Sequence, residues 1–594
     1  MIKDRVRELF SCMELVEKSK VNGLMKLWLY QFYVLARLAW PFLVQDLPFS
    51  FAEDLEKKIR VKLKRWAGLF RSADVGSLFR SRSKFGLGLT SVTTHFVTMQ
   101  VIRGSLLKHS VDPDIRTLYN VQASKEAGFK TVRRASQVVT AAEAETSLEL
   151  LFPSQDGRQG LGAGNFTAHP TLADKRKMVV AFVKDRSDDA HVAHATQLAM
   201  QSAWTRWSES ARPFDFSWKN LIYGPGYHII KFVLNSSINC LRTPDMLRLW
   251  GYTDYAFCPL CKAKQCTQHH ILSNCDVALR SGRYTWRHDS VLATAYPALE
   301  ARVATANNSV RKPTPPPPIT KSFTSAGSRA SFTKSVQRKK SLLDRAQDWK
   351  LLVDFERQKL VFPPEIYGTS ERPDIVIWSV SSKTVIMIEL TCPSEEGFEA
   401  ASVRKHRRYE DLVQNIRLQE WNPILMTVEV GVRGYVATSM LRCLRRLGFS
   451  NREVHQLRKA FSQVAARCSY GIYLSRKNVH WDRQREPLVI PTLPSPVRAV
   501  VPPGPEAPGP EPETAHPRPS KNPLLDPRAP EVEARSIRSR RVRVVYTLRL
   551  NSPQRREYET LCAMSRPKGP WVPSLDTIPD DEGLSLSLQY LRRS

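Results

Sequence analysis

Residues 374–380 (DIVIWSV) and 384–390 (TVIMIEL) are two apolar, β-branched runs separated only by Ser381, Ser382 and Lys383. Runs this short, bounded by a turn signal, read as adjacent strands of a buried sheet. Each carries one carboxylate. Asp374 stands at the entrance of the first run and Glu389 near the end of the second. Neighbouring strands bring two such positions side by side, and an acid that interrupts an apolar run costs several kcal/mol to bury without a partner. A shared divalent cation removes that cost, although strand-end carboxylates at the surface are the simpler alternative. Helical periodicity over 395–420, a strand over 424–430 and two helical stretches within 437–467 complete a small α/β domain over 342–482. Lys405 falls on the first of those helices with Tyr409 one turn later on the same face. A lysine beside such a cation steers or deprotonates the attacking water and offsets charge developing on a phosphate.

A second constraint lies upstream. Cys258, Cys261, His270 and Cys275 give C-x2-C-x8-H-x4-C, a donor set suited to a closed tetrahedral Zn2+ site that contributes folding energy. His269 and Cys266 compete as ligands. His270 is preferred because Ile271 and Leu272 can pack beneath the loop while His269 stays outside. Buried thiols without metal are the plain alternative. The knuckle with its basic flank spans 246–300, where Arg283, Arg287 and His288 interleave with Tyr284 and Trp286, a pattern suited to phosphate contact and base stacking.

Charge names a class of partner. Lys and Arg total 89 against 57 acids, a net charge of +32, which seeks a polyanion. Within the helical region 1–120, Ser50 and Glu53 form a capping box, and Phe51, Leu55, Ile59, Leu63 and Trp66 recur at helical spacing. Lys58, Lys62 and Arg65 lie on the opposite, cationic face, either as backbone contacts to nucleic acid or as a solvated surface. The most apolar stretch, 24–44, contains Lys26, Arg37 and Pro41, so no membrane partner is expected. The first twenty residues are too charged for a secretory signal, which places the chain inside the cell.

Residues 121–245 read as mostly helical, with a glycine-rich loop near 157–164. Residues 301–341 have no acid before 341 and carry a proline run, so they read as a basic linker. The Pro-rich tail 483–594 has a basic run at 535–543 and reads as disordered. That run is a candidate nuclear-import signal.

The segments RPDIVIWS, IELTCPSEE, RKHRRYEDL and VEVGVRGY together resemble the restriction-like endonuclease of site-targeting non-LTR retrotransposon polyproteins, a PD-(D/E)-x-K type nuclease. The resemblance implies Asp374, Glu389 and Lys405 as catalytic residues, Tyr409 as their support, and Mg2+ at the acidic pair. Thr391 stands where the usual E-x-K lysine would be, the lysine having migrated to the helix. A CCHC knuckle precedes the nuclease in that family, and residues 24–69 resemble the helical thumb that follows a reverse transcriptase palm. No aromatic-x-Asp-Asp palm turn is present, so the chain reads as a C-terminal piece of such a polyprotein. The expected architecture is multi-domain, α plus α/β: a thumb-like helical region, a zinc knuckle, the nuclease domain and the tail. The expected activity is nicking of a DNA target in the nucleus, with element RNA as a second partner and no small-molecule substrate. A catalytically inactive nucleic-acid-binding remnant is the alternative.

Overall fold

The computed structural model describes residues 2–45, 47–108, 110–124, 172–263, 265–309, 341–355, 360–481 and 488–489. The chain divides into units 1–492 and 493–594, and the second lies outside the described residues together with the expected import run at 535–543. The glycine-rich loop and the basic linker also lie outside them, apart from the linker's ends.

The first unit is mostly helical, with a four-stranded sheet and a separate two-stranded pairing of Ala211–Arg212 with Val436–Ala437. Helix α1 (Ile2–Lys18) packs near a long helical stretch, Gly23–Val44, that is long and apolar enough to cross a membrane. Its turn geometry widens at Tyr30–Val34 and tightens at Leu35–Leu38, and Leu24, Leu27, Tyr30, Leu38 and Phe42 are packed in the protein core. Helix α2 (Phe49–Ala67) buries Leu55, Ile59, Leu63 and Trp66 at the expected spacing. Its start differs from the capping-box expectation. Pro48 occupies the cap position, so Ser50 falls inside the first turn. The helix ends where Gly68 adopts φ +67, a conformation that spares a residue without Cβ the usual penalty.

Helices α3 (Val92–Lys108), α4 (Leu172–Thr196) and α5 (Tyr227–Ser237) continue this helical layer. One apolar core joins these helices to Cys258, Cys275, Ile271 and Leu272 and reaches Phe398, Val432 and Tyr435. The helical region, the Cys/His segment and part of the segment after 342 therefore share buried side chains.

Helix α6 (Gln268–Ser273) is followed by α7 (Arg283–Asn307), which crosses the boundary expected at 300. The four-stranded sheet consists of β1 (Lys350–Val353), β2 (Ile375–Ser379), β3 (Thr384–Thr391) and β4 (Asn422–Glu429) in spatial order 1-2-3-4. Strands β1, β2 and β3 are antiparallel neighbours, whereas β3 and β4 are parallel. A parallel pair needs a crossover. Helices α8 (Phe398–Arg408) and α9 (Glu410–Leu418) supply it, separated by a break at Tyr409 where one continuous helix is expected. Helices α10 (Thr438–Arg446) and α11 (Asn451–Leu474) follow.

Both faces of the sheet are covered. Ile375, Ile377, Ile386, Ile388 and Leu390 pack against α7, α10 and α11. Val376, Val385 and Met387 face Tyr409, Leu412 and Ile416. This explains why β2 and β3 read as continuous apolar runs rather than alternating ones. Strand alternation puts Glu389 with Val385 and Met387 on the α8 face, whereas Asp374, one residue before β2 begins, turns its carboxylate to the Leu390 amide and toward His288 of α7.

Candidate functional site

Four elements assemble the acidic site. Strand β3 carries Glu389, whose side chain is 3% exposed. Lys405 from α8 pairs with Oε1 of Glu389. Tyr409 donates its hydroxyl hydrogen toward Oε2 at 3.0 Å, and its oxygen also lies 3.2 Å from the Arg372 carbonyl. The Asp374 amide donates to the same Oε2 at 3.3 Å, which fixes the mouth of β2 against the Glu389 carboxylate. Asp374 in turn accepts from the Leu390 amide at 2.8 Å through Oδ2. The expected convergence of Asp374, Glu389, Lys405 and Tyr409 at one sheet end therefore appears in the geometry.

Burial, followed by repulsion from Asp374, raises the pKa of Glu389, and the Lys405 ammonium only partly offsets both effects. Burial and the neighbouring Glu389 charge push the Tyr409 hydroxyl up, so Tyr409 acts as a hydrogen-bond donor and not as a base. Asp374 keeps Oδ1 without a partner among the described residues. On the α8 face, the Thr391 hydroxyl and Oε1 of Glu429 are buried without a hydrogen-bond partner. Among the described residues no third His, Cys, Asp or Glu donor joins Asp374 and Glu389 in a closed ligand group, so these two carboxylates meet here as a hydrogen-bonded pair of strand-end acids.

His288 belongs to this site. Its Nε2 lies 3.3 Å from Asp374 Oδ2 and 3.2 Å from the Leu390 carbonyl, and its Nδ1 lies 3.3 Å from Asp289 Oδ1. Burial pulls the imidazole pKa down, but the Asp374 charge and the hydrogen bonds to Asp289 and Asp374 outweigh it and hold the value well above the usual one.

Arg283 and Arg287 correct the expectation of a polyanion-binding flank, because each is 1% exposed. Arg283 donates to the Ser475 carbonyl at 2.7 Å and lies over the Trp481 ring. Arg287 donates to the carbonyls of Leu272 at 2.9 Å and Cys392 at 3.2 Å, clamping the Cys/His segment to the end of β3. Helix α7 turns these cations inward because its apolar positions pack on the sheet. Trp286 is buried as well, and the Tyr284 hydroxyl accepts from the Cys275 amide. On α2, Lys62 pairs with Glu14 at 2.7 Å and Arg65 with Glu17 at 3.2 Å, so both cations already have carboxylate partners. Lys58 is exposed.

The metal-ligand segment is compact. The donor atoms of Cys258, Cys261, His270 and Cys275 all lie within 4.8 Å of one another. Cys258 Sγ is 3.9 Å from Cys275 Sγ, and Cys261 Sγ is 3.4 Å from His270 Nε2. Bond lengths of about 2.3 Å to sulfur and 2.0–2.1 Å to nitrogen give tetrahedral edges of about 3.8 and 3.5 Å, so the cluster fits Zn2+. The Thr267 hydroxyl caps α6 by accepting from the His270 amide at 3.1 Å, and that turn aims His270 inward. His269 is exposed and reaches Ser394 instead, while Cys266 is buried outside the four-ligand group.

Sequence reasoning missed a buried ion cluster beside the site. Arg433 donates to Glu395 at 2.6 Å and Glu396 at 2.9 Å, and its Nε donates to the Ser236 carbonyl on α5 at 3.0 Å. The adjacent acids of SEEG and the lone arginine of GVRGY were the available signal. No protein-family profile matches this sequence, and no curated protein matches it.

Proposed function

We propose that this chain is a metal-dependent DNA endonuclease of the restriction-like kind, with a structural zinc knuckle, and that it nicks a DNA target in the nucleus. The observation that carries the reading is the meeting of Asp374, Glu389 and Lys405 at one end of the sheet. The resemblance of the surrounding segments to retrotransposon endonucleases adds to it, as does the net charge of +32.

Hydrolysis adds water across a phosphodiester P–O bond. Asp374 and Glu389 would hold the divalent cation, Mg2+ by the resemblance, which supplies positive charge against the transition state when bound. Lys405, 20% exposed, would steer the attacking water through its ammonium and offset the charge developing on the phosphate, the water's proton leaving to bulk solvent. Tyr409 holds Glu389 in register so that the carboxylate cannot swing toward solvent. Lys58 on α2 is left to contact the polyanion, whether DNA or element RNA, while Lys62 and Arg65 would first have to exchange their carboxylate partners.

Purified full-length chain should convert supercoiled plasmid to the nicked form with Mg2+ or Mn2+ and not with EDTA, and Asp374→Ala should remove nicking while DNA retention persists. Equal cleavage by Asp374→Ala refutes the assignment. A second reading, a nucleic-acid-binding remnant without catalysis, is favoured by one feature: both oxygens of Glu389 already have protein partners. It predicts DNA binding with no nicking under either ion.

A further inference from the structure

We infer that the exposed arginines of α10, Arg442, Arg445 and Arg446, form a surface that holds the phosphate backbone of a DNA duplex away from the scissile site. The surface follows from charge and packing alone, whereas the choice of DNA as the duplex rests on the nuclease reading above. Residues 430–452 contain five arginines and no acid. Arg433 is taken up by the buried ion cluster with Glu395 and Glu396. The three on α10 are exposed and recur at i, i+3 and i+4, so they share one strip of the helix. The other side of α10 buries Met440, Leu441, Cys443, Leu444 and Leu447 in the core beneath the sheet, which sets the strip on a rigid base.

An ordinary solvated face looks different. On α2, Lys57, Lys62 and Arg65 each have a carboxylate partner. Arg442, Arg445 and Arg446 have no ion pair among the described residues. The nearest acids in sequence are engaged elsewhere, Glu429 with the Ser439 hydroxyl and Glu453 with the Ser450 amide at 2.7 Å. Like charges three and four residues apart on a helix repel, and a polyanion laid along the strip relieves that repulsion. The class of partner follows from the surroundings. No large apolar or aromatic side chain is exposed between 419 and 473. A single strand needs aromatic faces for its bases, and a protein partner needs an apolar anchor. Arginine forks on a rigid helix suit phosphates presented at regular spacing, as a duplex presents them. Position then sets the role. Helix α10 covers the sheet face opposite the one that carries Glu389 and Lys405, so the strip meets a different stretch of the duplex and holds it without acting on the bond.

The test uses full-length, zinc-loaded chain and a short duplex DNA without added Mg2+. Arg442→Gln, Arg445→Gln and Arg446→Gln combined should weaken duplex binding by about tenfold or more and flatten the slope of log affinity against log salt by about 2.7, which is roughly 0.9 per lost phosphate contact. Zinc content and the thermal midpoint should not move, because all three side chains are exposed. Lysine at the same three positions should restore the salt slope, and a single strand of the same length should lose less than the duplex. Unchanged duplex affinity and slope overturn the inference. An equal loss for the single strand overturns the duplex assignment, and preference for an RNA duplex of the same sequence overturns the choice of DNA. Arginine modification by phenylglyoxal needs no variant: duplex DNA should shield Arg442, Arg445 and Arg446, and undiminished modification of all three overturns the surface. Mg2+-dependent nicking by wild-type chain, with unaltered duplex affinity in the triple variant, removes the surface and keeps the nuclease. No nicking by wild-type chain, with duplex affinity lost in the variant, does the reverse.

Discussion

The Cys/His knuckle and the acidic sheet end are two candidate metal sites built in opposite ways. The knuckle takes its donors from one short segment, Cys258 to Cys275, and its four ligand atoms close on one another. The acidic site draws on α7, β2, β3 and α8, and its donors are held by hydrogen bonds to residues as distant in sequence as His288 and Leu390. A closed set of soft donors acts on stability, while an open set of carboxylates is the kind of arrangement through which the proposed nuclease would act on a bound substrate. Arg287 links the two by donating to Leu272 on one side and Cys392 on the other.

The widest separation between the sites should appear on breaking the knuckle. Cys258→Ser should release zinc and destabilise the first unit by several kcal/mol, read as a lower thermal midpoint and lost zinc stoichiometry. Glu389→Gln, by contrast, should leave the zinc content intact and reduce nicking by about 10³-fold, because it removes charge from the centre but not shape. Arg287→Met sharpens the link between the sites. Loss of a buried guanidinium bonded to two carbonyls should cost about 2 to 4 kcal/mol, with both zinc affinity and nicking reduced in the same variant.

A smaller effect comes from Asp348, which accepts from the Ser379 hydroxyl at 2.6 Å and the Ser381 amide at 2.8 Å and so ties down the β2–β3 turn. Burial opposes the charge, but those hydrogen bonds hold its pKa down at about 2. A depressed folded-state pKa stabilises above the ordinary aspartate range and loses that contribution as pH falls toward 2. Asp348→Asn should therefore cost about 1 kcal/mol near neutrality, discounted for solvent screening, and approach wild type in acid denaturation below about pH 3. The smallest change is expected for Lys58→Ala. It should leave the thermal midpoint in place and lower the salt dependence of DNA binding by about one counterion.

The same contrast governs what could be read from the chain. The knuckle was legible, including the choice of His270, because all its ligands and the packing residues Ile271 and Leu272 sit within one local segment. The acidic pair was legible because a short hairpin fixes which strand positions meet. Strand β1 was missed, since KLLV is too short to show a period. Arg283, Arg287 and His288 were misplaced for a different reason. Their charge suggests a surface, and only the distant partners Ser475, Cys392 and Asp374 reveal that α7 turns them inward. The Arg433 cluster escaped likewise, because its acceptors come from α5 and from the turn before α8. The helix break at Tyr409 was hidden by unbroken helical periodicity over 395–420.

Anomalous diffraction from crystals of zinc-loaded chain soaked in Mn2+ tests the two-site account most directly. The account predicts a zinc peak among Cys258, Cys261, His270 and Cys275, and a separate manganese peak against the carboxylate of Asp374. Manganese found only elsewhere, with Asp374 and Glu389 still bonded solely to protein groups, would contradict it.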